Sequence, residues 1–203
     1  MSFLRTLPKG PVPKSTCFFL CDIQEAFRNL IYSNPQVIAT ADKMIKASNL
    51  LNIPLVVTEH YPKGLKHTVS ELNIQSAKVF EKTKFSMWTT EVENHVKEEL
   101  KSKSVVLFGI ETHVCVLQTT LDLLEANMEV YVVLDGVSSQ NPEERSVAIK
   151  RMRDAGAVVT TSESILFQLM GDARHPNFKA VSNLVKETKD STKLGLTALC
   201  SNL

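Results

Sequence analysis

No stretch of this chain approaches the ~20 consecutive apolar residues that a membrane-spanning helix needs, so no membrane partner is expected. The seven glycines are scattered. None falls in a G-x-G-x-x-G or P-loop spacing, which argues against a tightly held nucleotide. A charge excess of either sign is also missing: 23 lysines and arginines face 22 acids, for a formal net charge of +1. Binding nucleic acid would call for a basic surface, so none is expected as a partner. Cysteine is sparse. Cys17, Cys21, Cys115 and Cys200 form no C-x-x-C pair and no metal-finger spacing, and no motif calls for a cofactor. Cys17 and Cys21 share one face of an apolar run but stand ~13 Å apart, too far to bridge. Unpaired thiols predict a reducing compartment, taken as the cytosol. The acid-free first 21 residues carry Pro8, Pro11 and Pro13, which oppose the amphipathic helix of a transit peptide. Ser201-Asn202-Leu203 lacks the basic middle residue of a peroxisomal tail.

What the chain does have is apolar runs alternating with amphipathic stretches. Residues 17–21 read as a central strand. Asn34-Pro35 opens a helix with Val37, Ala41, Ile45 and Leu51 on one face. Residues 54–58 form a second strand, followed by a loop from Glu59 to about Gln75, and residues 77–82 a third. A helix over 91–101 precedes a fourth strand that begins at Ser104 and breaks at Gly109. Thr112 is placed to cap the next helix. Residues 130–134 form strand five, stopped by Asp135-Gly136, and Asn141-Pro142 opens a helix that Gly156 closes. Residues 157–160 are strand six, Ser162 caps a short helix, and residues 176–185 form a terminal one. Strands with apolar residues on both faces, separated by helices, predict an α/β fold with a parallel sheet. The chain reads as a single domain over 1–203, with an N-terminal extension over about 1–14 and a C-terminal tail over about 188–203.

In open α/β sheets, ligands collect outside the carboxyl ends of the strands. Asp22 follows strand one, Lys82 ends strand three, and Cys115 opens the helix after strand four. An acid, a cation and a thiol meeting in one crevice fit an activated cysteine nucleophile. The helix start and the lysine both favour the thiolate. Taken singly, Asp22 could cap a turn, Lys82 could be a solvated strand-end charge, and Cys115 could be a small buried hydrophobe. A Cys–His pair is the other arrangement, since His60 and His113 lie in strand-end loops.

At these residues the chain resembles the isochorismatase-like cysteine hydrolases. Asp22-Ile23-Gln24 through Phe27 is similar to the family's D-x-Q-x-x-F. Lys82-Thr83-Lys84-Phe85-Ser86 is similar to its lysine followed by an aromatic and a small residue, and this spacing selects Lys82 over Lys84. Gly109-Ile110-Glu111-Thr112-His113-Val114-Cys115-Val116 is similar to its G-I-x-T-x-x-C-V signature. Thr58 to Leu65, Thr119 to Leu124 and Gly171 to Pro176 resemble the animal isochorismatase domain-containing proteins.

The resemblance implies a three-layer sandwich, a six-stranded parallel sheet of order 3-2-1-4-5-6 with helices on both faces. It implies a catalytic triad of Asp22, Lys82 and Cys115, a cis peptide between Ile110 and Glu111, and an oxyanion site on the N–H groups of Glu111 and Cys115. Gln24, Phe27, Tyr61, Trp88 and Thr112 are candidates for the substrate pocket. Metal-dependent relatives carry D-x-H after strand two; His60 and Pro62 stand there instead, so no metal site is expected. True isochorismate hydrolases lack the nucleophilic cysteine. Cys115 therefore points to a metal-free hydrolase that cleaves a small amide or ureido compound through a thioester, in a homo-oligomer. The alternative is a family fold kept as a metabolite- or protein-binding module, with the loop after strand two as lid or interaction element.

Overall fold

In the computed structural model, which describes residues 13–201, the sheet is assembled around β1 (Thr16–Cys21), a strand buried along its whole length. Its side chains alternate. Phe18 and Leu20 join one apolar layer, while Cys17, Phe19 and Cys21 join the other. The remaining strands are β2 (Leu55–His60), β3 (Lys78–Lys82), β4 (Ser104–Ile110), β5 (Glu129–Ser138) and β6 (Val158–Thr160). All pair in parallel in the order β3-β2-β1-β4-β5-β6. The order reverses at β1, so the crevice between β1 and β4 is the switch point.

Helices cover both faces. The first layer receives α1 (Asn34–Leu51), α6 (Ser162–Met170), α7 (Phe178–Glu187) and α8 (Lys189–Cys200). The second receives α3 (Thr90–Asn94), α4 (Leu117–Glu125) and α5 (Pro142–Ala155). A short α2 (Pro62–Leu65) follows β2.

Several boundaries differ from the sequence reading, each for a local reason. β2 continues through Glu59 and His60, because their backbones pair with Glu81 and Lys82. β4 does not break at Gly109; it runs on to Ile110, with Gly109 at φ +126° directly against the backbone of Cys21. β5 likewise passes through Asp135-Gly136. The Asp135 carboxylate is buried because it accepts bonds from the N–H of Ser162, at 2.7 Å, and from the Ser162 hydroxyl. Ser162 is thereby occupied, and Thr161 is the N-cap of α6, accepting from the Ser164 N–H. Glu111 rather than Thr112 sits at the N-cap before Cys115. The helix expected over 91–101 is α3 continued by a π-helical turn, His95–Glu99.

The tail expected over about 188–203 contains α8, which the core holds from two sides. The buried Lys43 ammonium donates to Thr192 Oγ1 at 2.8 Å, and Arg145 Nη2 donates to the Leu199 carbonyl at 2.8 Å. Of the extension expected over about 1–14, residues 1–12 lie outside the described residues, as do 202–203 of the tail. The loop after β2 is pinned: Val69 N–H donates to Ile23 O, and Glu25 N–H to His67 O, both at 3.0 Å.

Candidate active site

Asp22 is the first residue past β1, and its left-handed backbone (φ 50°) interrupts the alternation of the strand. Its carboxylate is held twice: Oδ1 accepts from Thr58 Oγ1 at 2.7 Å, and Oδ2 from Lys82 Nζ at 2.6 Å. The Lys82 and Asp22 side chains are 0% and 2% exposed. An ion pair this deep is stable only if further hydrogen bonds satisfy both partners. Lys82 Nζ has them, donating to the Lys84 and Phe85 carbonyls at 3.1 and 2.9 Å. Burial disfavours the Lys82 ammonium, but neighbouring acidic groups, Asp22 and Cys115 among them, hold it above its ordinary range.

Cys115 lies 3.8 Å from the same ammonium and is 8% exposed. It sits in a π-helical turn, Thr112–Val116, between β4 and α4; such turns recur at functional sites. The peptide bond joining Ile110 to Glu111 at its entry is cis. The Glu111 carbonyl accepts from the N–H groups of Val114 and Val116, both at 3.1 Å, and its carboxylate accepts from the Gln140 N–H at 2.8 Å. Thr119 fixes the far side. Its hydroxyl donates to the Cys115 carbonyl at 2.6 Å and accepts from the Met87 N–H at 2.8 Å.

Asp22, Lys82 and Cys115, sequence-predicted to converge, are thus brought together. Lys84 is not: its ammonium pairs with Asp122 at 2.6 Å and the Trp88 carbonyl at 3.0 Å, half-exposed. Neither histidine makes the Cys–His pair. His113 Nδ1 turns to Ser139 Oγ at 2.9 Å. His60 Nδ1 lies 3.2 Å from Lys82 Nζ, its ring stacked on Phe85 at 5.6 Å. Burial first, and then the Lys82 charge, push His60 below the usual histidine value.

The pocket candidates divide. Gln24 is spent on backbone: Nε2 donates to the carbonyls of His60 and Lys66 at 3.0 and 2.6 Å, and Oε1 accepts from the His60 N–H at 2.7 Å. It is a strap for the loop, not a free substrate contact. Phe27 packs on the α1-side layer, whereas Trp88 is buried in the same layer as Cys115. Tyr61 is exposed and lines a cleft of about 360 Å³ with Pro62, Lys63, Glu81, Lys82 and Thr83, along the edge strand rather than over Cys115. Thr112 is buried, and its hydroxyl has no hydrogen-bond partner.

Sequence reasoning missed Thr58, Thr119 and above all Cys21. Cys21 is fully buried, its Sγ donates to Asp22 Oδ2 at 3.6 Å, and the ligand-type atoms of Cys21, Asp22 and Cys115 all lie within 4.8 Å of one another. Cys21 immediately precedes the site acid in sequence, but strand alternation would direct the two side chains to opposite faces. The D-x-H metal positions do not fit a metal, because Pro62 offers no ligand atom and His60 faces the Lys82 ammonium.

A doubly wound parallel sheet with a buried Cys–Lys–Asp cluster at the carboxyl ends of its strands defines the class of α/β protein to which this chain belongs. The Isochorismatase domain profile matches residues 16–164, and the chain belongs to the isochorismatase family. It is 50% identical over 182 residues to the Secreted isochorismatase effector Isc1 of Phytophthora sojae, covering 87% of each chain. It is 44% identical over 186 residues to human Isochorismatase domain-containing protein 2, covering 91% of this chain and 90% of the relative. A solved structure described as MAR1 ribonuclease from Caenorhabditis elegans superposes with a TM-score of 0.83 at 46% identity, over 87% of this chain and 92% of that one.

Proposed function

We propose that this protein is a metal-free cysteine hydrolase that cleaves the C–N bond of a small amide or ureido compound. The observation that carries the reading is the placement of one buried ammonium, Lys82, 2.6 Å from Asp22 and 3.8 Å from Cys115. Asp22 takes the Cys115 proton, and the thiolate attacks the substrate carbonyl. The tetrahedral oxyanion rests on the N–H groups of Glu111 and Cys115, at a helix start where such groups lack intrahelical partners. Asp22 returns the proton to the leaving nitrogen, the C–N bond breaks, and a thioester remains. A water that gives its proton to Asp22 then attacks the thioester and frees Cys115. Trp88 and the unpartnered hydroxyl of Thr112 are the candidates to shape the substrate pocket.

The test is intact-mass analysis after incubation with a panel of small amides and ureido compounds. An acyl adduct that disappears in Cys115→Ala supports the reading; no adduct and no turnover across the panel would leave the fold as a binding module. Activity that withstands chelation supports metal independence. A stoichiometric zinc or iron whose removal abolishes activity would sink it.

The relative described as a ribonuclease motivates a second reading, RNA cleavage at the same cysteine. The buried position of the Asp22–Lys82 pair favours a small substrate over a polynucleotide backbone. RNA digestion by the purified protein that is lost in Cys115→Ala would reverse this preference. We also propose a homo-oligomer in the cytosol. The family resemblance supports the first and the four free cysteines the second; light scattering and cell fractionation test them.

A further inference from the structure

The hydrolytic cycle above leaves Cys21 unused, although its thiol shares the buried site with the nucleophile. We infer that Cys21 and Cys115 form a modification site, a reversible disulfide made when a hydroperoxide oxidises Cys115. The inference rests on Cys115 being the reactive thiol of the proposed hydrolase.

Geometry supplies the pair. Both sulfurs and the Asp22 carboxylate lie within 4.8 Å of one another, and both cysteines are free. Cys21 is fixed at the end of β1, held between β2 and β4 through its pairing with Thr58 and Gly109. Cys115 stands at the start of a helical segment, where a side-chain rotation and a small shift of the turn can bring its sulfur to bonding distance. Cys17 cannot replace Cys21. It lies two pleat repeats further from the site, ~13 Å along the strand, with its Sγ directed at the Ser104 carbonyl.

The chemistry balances. The Cys115 thiolate attacks one oxygen of the hydroperoxide, the O–O bond breaks, and the departing oxygen takes a proton from Lys82 to leave as water or an alcohol. Sulfur is oxidised by two electrons to the sulfenic acid, and the peroxide is reduced by two. Asp22, 3.6 Å from Cys21 Sγ, then accepts the Cys21 proton. The resulting thiolate attacks the Cys115 sulfur, the S–O bond breaks, and the hydroxide leaves as water with a proton from Asp22. With the Cys115 proton passed through Asp22 to solvent before the first attack and Lys82 reprotonated from solvent afterwards, two thiols and one hydroperoxide yield one disulfide, one water from the sulfenic oxygen, and one water or alcohol from the peroxide.

This pairing has a consequence for Cys115. A sulfenic acid trapped by a neighbouring thiol is withdrawn from further oxidation to the irreversible sulfinic form. Burial, followed by the neighbouring Cys115 and Asp22, pushes the Cys21 thiol well above its ordinary range. Cys21 therefore stays protonated and silent until the sulfenic acid forms beside it.

The experiment treats fully reduced protein with stoichiometric hydrogen peroxide, blocks remaining thiols with iodoacetamide, and maps tryptic peptides by mass. The expected product is two hydrogens lighter, carries a peptide joining Cys21 to Cys115, and reverts with dithiothreitol together with acylation of Cys115 by amide substrates. At two or more equivalents of peroxide, Cys21→Ser and Cys21→Ala should instead accumulate Cys115 with two added oxygens that dithiothreitol does not remove. Cys17→Ala should still form the cross-linked peptide. Direct conversion of Cys115 to the sulfinic acid in the parent protein, or a mixed disulfide in place of the joined peptide, would overturn the inference. The parent-protein map decides this even if both Cys21 variants fail to fold. A joined peptide without acylation of the reduced protein would refute the hydrolase reading alone. Acylation without a joined peptide would refute this one alone.

Discussion

A β-carbon placed on Gly109 would lie 2.2 Å from the carbonyl oxygen of Cys21, its register partner on the adjacent strand. The backbones of β1 and β4 therefore touch at the residue before Asp22 and two residues before Glu111. Gly109→Ala combines this clash with a φ of +126° that L side chains rarely adopt. It should cost about 4 kcal/mol or more, lowering the melting temperature by roughly 10 °C or preventing folding. Gly171→Ala has the positive φ but nothing within 4 Å. It should lose only about 1 kcal/mol in the same thermal scan. Equal losses at the two glycines would refute the close-approach explanation.

Lys82 and Lys84 should part in both stability and turnover. Lys82→Met strands the Asp22 carboxylate in the interior and should cost about 3–5 kcal/mol in urea unfolding, with at least ~10²-fold lower turnover. Adding Asp22→Asn should restore part of the stability and none of the turnover. Lys84→Met breaks a half-exposed pair and should stay within about 1 kcal/mol and severalfold of the parent. If Lys84→Met is the more damaged protein, the site lysine has been misassigned.

Gln24 should behave as a structural strap. Gln24→Leu keeps the volume but leaves the N–H and carbonyl of His60 and the carbonyl of Lys66 without its amide. Each unsatisfied group costs about 1–3 kcal/mol, partly relieved where water enters. Amide hydrogen exchange should accelerate at residues 66–69 before it changes in β1. Unchanged exchange there, with a raised KM alone, would return Gln24 to the substrate pocket.

His60 gives the stability a slope with pH. Its folded value lies below the ordinary one, so the unfolded chain takes up a proton first as the pH falls. Stability contributed by neutral His60 is whole above about 6.5 and declines as the pH drops toward the lower folded value. Urea midpoints at about pH 7.5 and about pH 5.5 should differ more in the parent than in His60→Asn. Parallel slopes in the two proteins would show that His60 is ionised like a free imidazole.

Much of this architecture was legible because burial of β1, β4 and β5 on both faces writes itself as unbroken apolar runs. Asp22, Lys82 and Cys115 were legible as chemistry at strand ends. What the sequence concealed was set by tertiary partners. Asp135 looks like a strand terminator until Ser162 satisfies it, and Gly109 looks like a break until Cys21 occupies the missing side chain's space. α8 hides because its buried face is made of Thr192, Gly195 and Leu199, with polar residues between. Cys21 escaped notice because alternation sends it away from Asp22, and only the left-handed turn at Asp22 brings the two side chains together.

The three groups of the site come from positions 22, 82 and 115, at or just beyond the ends of β1, β3 and β4, which meet only when the sheet assembles. No local segment can hold even two of them near each other. If the proposed thioester chemistry holds, acylation of Cys115 during refolding is a clock for sheet assembly: it should stay silent while helices form and begin only when β3, β2, β1 and β4 are in register. A pulse of reactive amide at successive refolding times would read that moment directly, without a spectroscopic label.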